Sequence, residues 1–470
     1  HDADPRGGPL SRSTAVSEVG VRRAKLAVVS GYDIVVVGAG AAGLSCAIFG
    51  ARAGANVLVL EKSAEVGGGL PLSDGHIAAA GARRQKEAGI EDSLEAHLDD
   101  IDRISDGTVR EDLVRLALEG APPLIDWLEG EGFAFAPGTP RLVDEHEPYG
   151  APRTFHGVEG GRSVLEVLRG ALEAHVASGA VTLLLNARVK ALLTDGDRVV
   201  GVQYVSDGLV TQTRARRGVV LATGGFAAAP DLFLEVEGQP LHSAAAPTST
   251  GDGLVLAHGL GAHLAGRGAY IPRYGALPDA RDPQRVSVSD RPVVIPRLRP
   301  PHEIHVDRHG KRFMAEDESS IDRLEHALLR TEGLQFFMIL DDPGLEASSG
   351  LVQGWTAADV RAKAGRRPGL WSAPSLAELA ALAGIDAAAL VETVERYNGF
   401  VSGGTDPDFG RRYLPAPIEK PPYYAIQNLG ASPVSFAGID VDARLRVRRE
   451  DGSVIPGLFA IGNCSASAMG

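Results

Sequence analysis

Apolar residues along this chain recur in two spacings, and the first 62 residues contain both. Asp33–Val37 is a short, β-branched run bounded by glycine, the pattern of a buried parallel strand. Residues 41–54 have helical length with small residues on the packing side, and Val57–Leu60 reads as a second strand ending at Glu61. Helical spacing returns over 91–127, where Leu94, Leu98, Ile101 and Ile104 are followed by Leu113, Leu116, Leu124 and Leu128, and again over 163–177. Strands are predicted at 181–187, 189–193 and 199–204, joined by the Asp195-Gly196-Asp197 turn, and at 219–221. Further on, the pattern predicts a helix over 254–260, a hairpin over 305–313, a helix over 319–330 and a strand over 336–340. Two short helices over 376–400, a strand at 423–426, and strands at 445–447 and 458–461 complete it. Residues 1–30 lack periodicity and read as an N-terminal extension. The chain opens at His1, as a tag remnant would.

Between the first strand and helix stands Gly38-Ala39-Gly40-Ala41-Ala42-Gly43. A glycine triplet placed there has a physical purpose. Gly38 permits the tight turn, Gly40 lets backbone approach a pyrophosphate, and Gly43 lets the helix lie close on the sheet. Amides at the helix N-terminus then face the phosphates. Glu61, 18 residues beyond Gly43, is placed to accept hydrogen bonds from ribose hydroxyls. An acid there disfavours a 2′-phosphate, so the ligand is FAD or NAD rather than NADP. Gly67-Gly68-Gly69 and Gly75 form a second glycine-rich loop, with His76 inside it, and Val219–Gly225 is a strand running into a small-residue turn. Both suit further approaches of backbone to a dinucleotide.

Composition narrows the class. A chain of 470 residues accommodates two or three domains, and 44% apolar content with a mean hydropathy of −0.01 is that of a globular protein. A net charge of −13 and a pI near 5.5 argue against nucleic acid as the main partner. No run approaches the 18 apolar residues of a membrane span, and Leu26–Val29 is too short for a signal-peptide core. A cytoplasmic location is therefore expected. Two cysteines, Cys46 and Cys464, are too few for a disulfide framework, and no metal-ligand spacing appears among the 13 histidines, so no metal is expected. Two stretches are candidate substrate elements. Arg153-Thr154-Phe155-His156 lies in a loop rich in Pro, Gly, His and Arg. The run 270–302 carries Arg273, Arg281, Arg285, Arg291, Arg297 and Arg299 against the acidic average.

Seven stretches together resemble the FAD-dependent oxidoreductases that include fumarate reductase flavoproteins and 3-ketosteroid dehydrogenases. They are VVVGAGAAGL with Glu61-Lys62, VGGG with the following DG, ATGGF at 222–226, TGDGLVLAHGLGA at 250–262, GKRFMAED at 310–317, PPYYAI at 421–426 and REDGSVIPGLFAIGN at 449–463. The resemblance implies an α/β fold: a Rossmann-type, GR2-like FAD-binding domain over residues 31–245 and 420–470, with an inserted α+β capping domain over 246–419. It places FAD against Gly38, Gly40, Ala42, Gly43, Glu61 and Lys62. Gly68, Gly69, Leu70, Ser73, Gly75 and Val189 follow, then Ala222, Thr223, Gly224, Asp252, Gly462 and Asn463. The implied chemistry is hydride transfer between flavin N5 and a carbon β to a carbonyl or carboxylate, with an acid or base on the α carbon. The implied partners are a small-molecule substrate and an electron acceptor or donor, in an assembly whose size the sequence leaves open.

Departures from the family pattern bear on the substrate. Fumarate reductases carry a His-His-Thr run where this chain has Pro433–Gly438, without histidine. After the RF-x-x-E element the family keeps an arginine or a tyrosine, and Ile321 stands there. Asp322 and Arg323 adjoin it; Arg299 falls where the reductases keep a substrate-side arginine; Tyr270, Tyr274, Arg153 and His156 complete the catalytic candidates. Gly69 occupies the position of the histidine that binds FAD covalently in quinone-linked members, so FAD is expected to be non-covalent. The C-terminal stretch is most like the ketosteroid dehydrogenase branch, where a Tyr-Pro-Gly segment and a helix would follow Gly470. Desaturation of a cyclic or apolar ketone is the leading expectation. Reduction of an unsaturated carboxylate and flavin binding without turnover are the alternatives.

Overall fold

A computed structural model describes residues 27–143, 148–268, 270, 272–282, 285–287, 289–348 and 350–466. Most of the expected N-terminal extension, residues 1–26, lies outside the described residues. The first strand begins earlier than its apolar run, at Ala27, and continues to Val37. Gly31, with φ of 142°, lies within the first of two register shifts in the strand's pairing with Leu209–Leu221. The strand bends through this glycine instead of starting after it.

Five parallel strands form the central sheet. They lie in the order Val454–Ala460, Leu209–Leu221, Ala27–Val37, Val57–Leu60, Val181–Leu184. Numbered by chain position this is 5-4-1-2-3, the doubly wound order, which opens a crevice beyond the carboxyl ends of the strands where the order reverses. Side-chain alternation divides the core in two. Val36, Val57 and Val59 face the helices Ala41–Arg52 and Gly161–Ala177 with Leu44, Ile48, Leu165 and Leu168. Val35, Val37, Leu58 and Leu60 face the other way, onto Val189, Val199, Val202 and Tyr204 of an antiparallel extension made by Arg188–Asp195 and Arg198–Ser206.

The helical stretch near residue 100 resolves into Leu94–Ser105 and Glu111–Gly130. The break is at Asp106 and Gly107, both with positive φ. The helix Pro230–Glu237, begun by proline, was not legible as periodicity because only eight residues form it.

A second sheet is wholly antiparallel, in the order Ile304–Val306, Gln335–Asp341, Tyr423–Leu429, Leu370–Ala373. Tyr423–Leu429 pairs along its whole length with Gln335–Asp341. Apolar side chains cover both faces of that strand, Phe336, Met338 and Leu340 on one side and Phe337 and Ile339 on the other. A strand so buried needs a hydrogen-bonding neighbour at each edge, and residues 423–429 supply one. The helix Ile321–Leu328 packs beside this sheet through Leu324, Ala327 and Leu328. It is capped by Ser320, whose hydroxyl accepts from the Arg323 amide.

Candidate active site

The reversal point of the parallel sheet lies between Val37 and Leu221, and Gly38 and Ala222 leave it side by side. Gly38 has φ of 102°, and a Cβ there would meet the Ala222 carbonyl oxygen at 2.4 Å. A Cβ on Gly43 would meet the Gly38 carbonyl oxygen at 1.9 Å, so only glycine lets the helix start this close to the turn. From here a cleft of about 1370 Å³ runs outward to residues 273–276, 291–298 and 321–325. That exceeds the upper range of a drug-sized pocket, about 1,000 Å³, as a dinucleotide plus substrate would require.

One end of the cleft carries the strand-end acid and a cluster of charges. Both oxygens of Glu61 accept backbone amides, from Ala39 at 2.8 Å and from Ser63 at 2.8 Å, which aims the carboxylate across the glycine turn. Lys62 donates to Thr250 at 2.7 Å and pairs with Asp252 at 3.2 Å, while Arg188 reaches the other Asp252 oxygen at 2.9 Å. Burial works to raise the Asp252 pKa. The two cations and their hydrogen bonds outweigh it and hold the carboxyl below its usual range. The middle is walled by backbone: Gly67–Leu70 on one side, Thr223–Gly225 and Gly462–Asn463 on the other.

Sixteen of the eighteen expected cofactor residues line this cleft. Gly43 and Gly75 do not. Gly43 packs against Gly38, and Gly75 packs against Gly160 and Gly161, where a Cβ would come within 2.4 Å of backbone. Cys464 is fully covered, accepts from the Thr223 hydroxyl at 3.1 Å, and has its thiol pushed up to about 11 by burial. A thiol so placed is a poor nucleophile.

At the outer end the catalytic candidates separate. Asp322 lines the cleft, but at its mouth, with its carboxylate against His326 at 3.2 Å and its side chain 40% exposed. Five others do not reach it. Arg299 is buried with its fork on Glu303 and its Nε on the Val293 carbonyl at 3.1 Å. Arg153 is buried with Asp92 on one side and Asp100 on the other, at 2.8 and 2.7 Å. Tyr270 is packed edge-on to Phe233 and donates to Gln239. His156 accepts from Arg141 Nε at 3.0 Å, and Arg141 also meets His76. Arg323 points to solvent and pairs with Glu318. The reason is shared by both arginines: a guanidinium removed from water needs acceptors on all sides, and carboxylates of the scaffold supply them first.

In their place the cleft presents groups that the motif comparison did not weigh for the site, Glu325, Ser287, Ser432 and Leu298, together with Arg273, Arg291 and Tyr274. Only backbone of Tyr274 is available for chemistry. Its hydroxyl is turned inward to His305 Nδ1 at 2.8 Å, its ring is stacked on Phe336, and burial holds its pKa well above 10. Glu325 had a sequence signature. Ile321, Leu324, Glu325 and Leu328 share one helix face, and a carboxylate among apolar positions at i, i+3, i+4 and i+7 marks a partly buried acid.

The family model for the FAD binding domain matches residues 33–470. The chain belongs to this family, and its cofactor is FAD. It is an FAD-dependent oxidoreductase acting on CH–CH bonds. Among its relatives is the 4-oxocyclohexanecarboxylate 2-dehydrogenase of Sinomonas cyclohexanicum, 30% identical across 93% of this chain and 88% of that protein. The 3-oxosteroid 1-dehydrogenase of Mycolicibacterium smegmatis is 27% identical across 93% of each. Among solved structures, the open form of a flavocytochrome c3 fumarate reductase superposes with a TM-score of 0.71 at 25% identity, over 94% of this chain and 74% of that one.

Proposed function

We propose that the protein desaturates a cyclic, largely apolar ketone, removing a proton from the carbon next to the carbonyl and passing a hydride from its neighbour to FAD. The observation that carries this reading is the wall of the outer cleft: Val286, Val293, Val294, Ile295, Leu298, Ile321 and Leu324 form an apolar lining. Among the described residues that line the cleft there is no histidine. Two relatives act, by name, on cyclic ketones.

On this reading the FAD lobe comprises residues 31–245 and the stretch from about 430, and residues 246–429 form the lobe that faces the reactive ring. Residues 38–42, 61–62, 67–73, 188–189, 222–225, 252 and 462–463 hold the cofactor. Gly69 at the covalent position of quinone-linked members, and a described cleft lining without histidine or cysteine, favour non-covalent FAD. FAD, when bound, supplies the hydride acceptor. The chain's own part is to hold the ring, exclude water and take the proton.

Anaerobic mixing of the holoenzyme with a panel of cyclic ketones tests the reading by bleaching of the flavin absorbance. If no cyclic ketone bleaches it, the reading fails. Arg273 and Arg291 in the same cleft favour a second reading, reduction of an unsaturated carboxylate. Rapid reoxidation of chemically reduced enzyme by an enoate, with no bleaching by ketones, would select it. A cytoplasmic enzyme is consistent with the described helices, none of which is long and apolar enough to cross a membrane.

A further inference from the structure

Ile321 leaves the expected proton-transfer position without an ionisable group. One helical turn onward, on the same face, Glu325 lines the cleft. Its surroundings are set by two elements. From its own helix Asp322 adds a negative charge one turn back. From the segment packed against it the Tyr274 backbone amide donates to the carboxylate, and Arg273 adds a positive charge. The Tyr274 amide is itself held in place, because the tyrosine ring is stacked on Phe336 and its hydroxyl is fixed on His305. Arg291 and Gln353 share the same cleft.

We propose that Glu325 is the proton acceptor of the reaction, taking the hydrogen from the carbon α to the substrate carbonyl. The inference rests on the desaturase reading above and names the residue that serves it. The α C–H bond breaks, its proton goes to a Glu325 oxygen, and its electron pair becomes the new C=C bond. The β C–H bond breaks with its electron pair, which leaves as hydride and reduces the flavin. The external electron acceptor later removes both electrons, and the Glu325 proton returns to water.

Burial is the main reason that this carboxyl is raised to about 8. The Asp322 charge adds to the rise, while the Tyr274 amide and Arg273 oppose it. An acid with that pKa exchanges protons with a carbon acid near neutral pH far better than an ordinary carboxylate does. Asp322 is the weaker candidate because it stands at the mouth, against His326.

The test uses full-length holoenzyme and 4-oxocyclohexanecarboxylate as the probe. In the wild type, anaerobic flavin bleaching speeds up as pH rises, with a midpoint near 8, and the α hydrogens of the probe exchange with D₂O. In Glu325→Gln the bleaching rate falls on the order of 100-fold or more, the midpoint disappears and the exchange stops. Glu325→Asp recovers part of the rate, and Asp322→Asn moves the wild-type midpoint downward. If Glu325→Gln keeps its yellow FAD spectrum and bleaches within tenfold of wild type along the same pH profile, Glu325 is not the acceptor and the desaturase reading stands without it. If Glu325→Gln loses its flavin, the Asp322→Asn midpoint decides: an unmoved midpoint overturns the proposal. A wild type that neither bleaches with the probe nor exchanges its α hydrogens overturns it together with the reading it rests on.

Discussion

Two groups of carboxylates, both in the half of the chain built around the antiparallel sheet, show how environment separates scaffold from chemistry. Glu316 is fully buried, with Arg312 on one oxygen pair at 2.7–2.8 Å and Arg411 at 3.0 Å. Arg312 continues to Asp406 at 2.8 Å. Glu303, equally buried, takes Arg299. Burial alone would raise both carboxyls, but the guanidinium charges and hydrogen bonds overcome it and hold them well below the ordinary carboxylate range. At Glu325 the balance of neighbours is different. This carboxylate is opposed by Asp322 and stabilised by one amide and the field of Arg273, so burial prevails and its pKa rises. The first group is locked as charge, and its free energy goes into holding residues 299–316 onto 406–411. The second is left able to change its protonation state.

Removing a partner from the locked group has the largest expected effect. Arg411→Met leaves the Glu316 carboxylate buried beside one arginine, which costs about 3–5 kcal/mol of stability in urea unfolding. Arg153→Met, which strands Asp92 and Asp100, belongs in the same range. Glu325→Gln loses no such partner and unfolds no earlier than wild type. An equal cost at Glu325 would erase the distinction between the two groups.

The pH dependence of stability separates them by sign. Glu303 and Glu316 have folded values below their unfolded 4.5. Their contribution is present above pH 4.5 and is lost as pH falls toward about 2, the folded value of Glu316. Glu325 has a folded value above its unfolded 4.5, so its contribution is full below 4.5 and is lost as pH rises through about 8. Urea midpoints of the apoprotein from pH 3 to 9 should therefore show the Glu325→Gln curve rising above wild type between pH 4.5 and about 8, and not below pH 4.5.

Smaller effects belong to the dinucleotide end. Glu61→Gln replaces a charged acceptor by a neutral one facing the same amides, and FAD affinity falls by about tenfold in a flavin-fluorescence titration. Lys62→Met breaks a partly buried pair with Asp252 and costs about 0.5–1 kcal/mol of stability, screened in part by salt.

The parts legible in the sequence are those whose physics is local. The Gly38–Gly43 turn and the strands on either side of it are read from glycines, β-branched runs and an acid at a fixed distance, because a backbone–pyrophosphate approach demands those residues in that order. The helix Ile321–Leu328 and its cap are equally local. Most of the catalytic candidates lie away from the cleft for the opposite reason. Arg153, Arg299 and Tyr270 have the right chemistry, and nothing in their neighbourhood along the chain reveals that Asp92, Glu303 or Gln239 occupies them in space. The pairing of Tyr423–Leu429 with Gln335–Asp341 is of the same kind, a choice between edges that no local pattern encodes.

By itself the sequence determined that the chain binds a flavin dinucleotide, since a turn of glycine and a strand-end acid act through local backbone geometry. Which ionisable side chain faces the substrate was decided only by the folded chain. A buried charge is kept or released according to the partners that distant segments bring to it, and the electrostatic energy of those partners depends on distance in space, not along the chain.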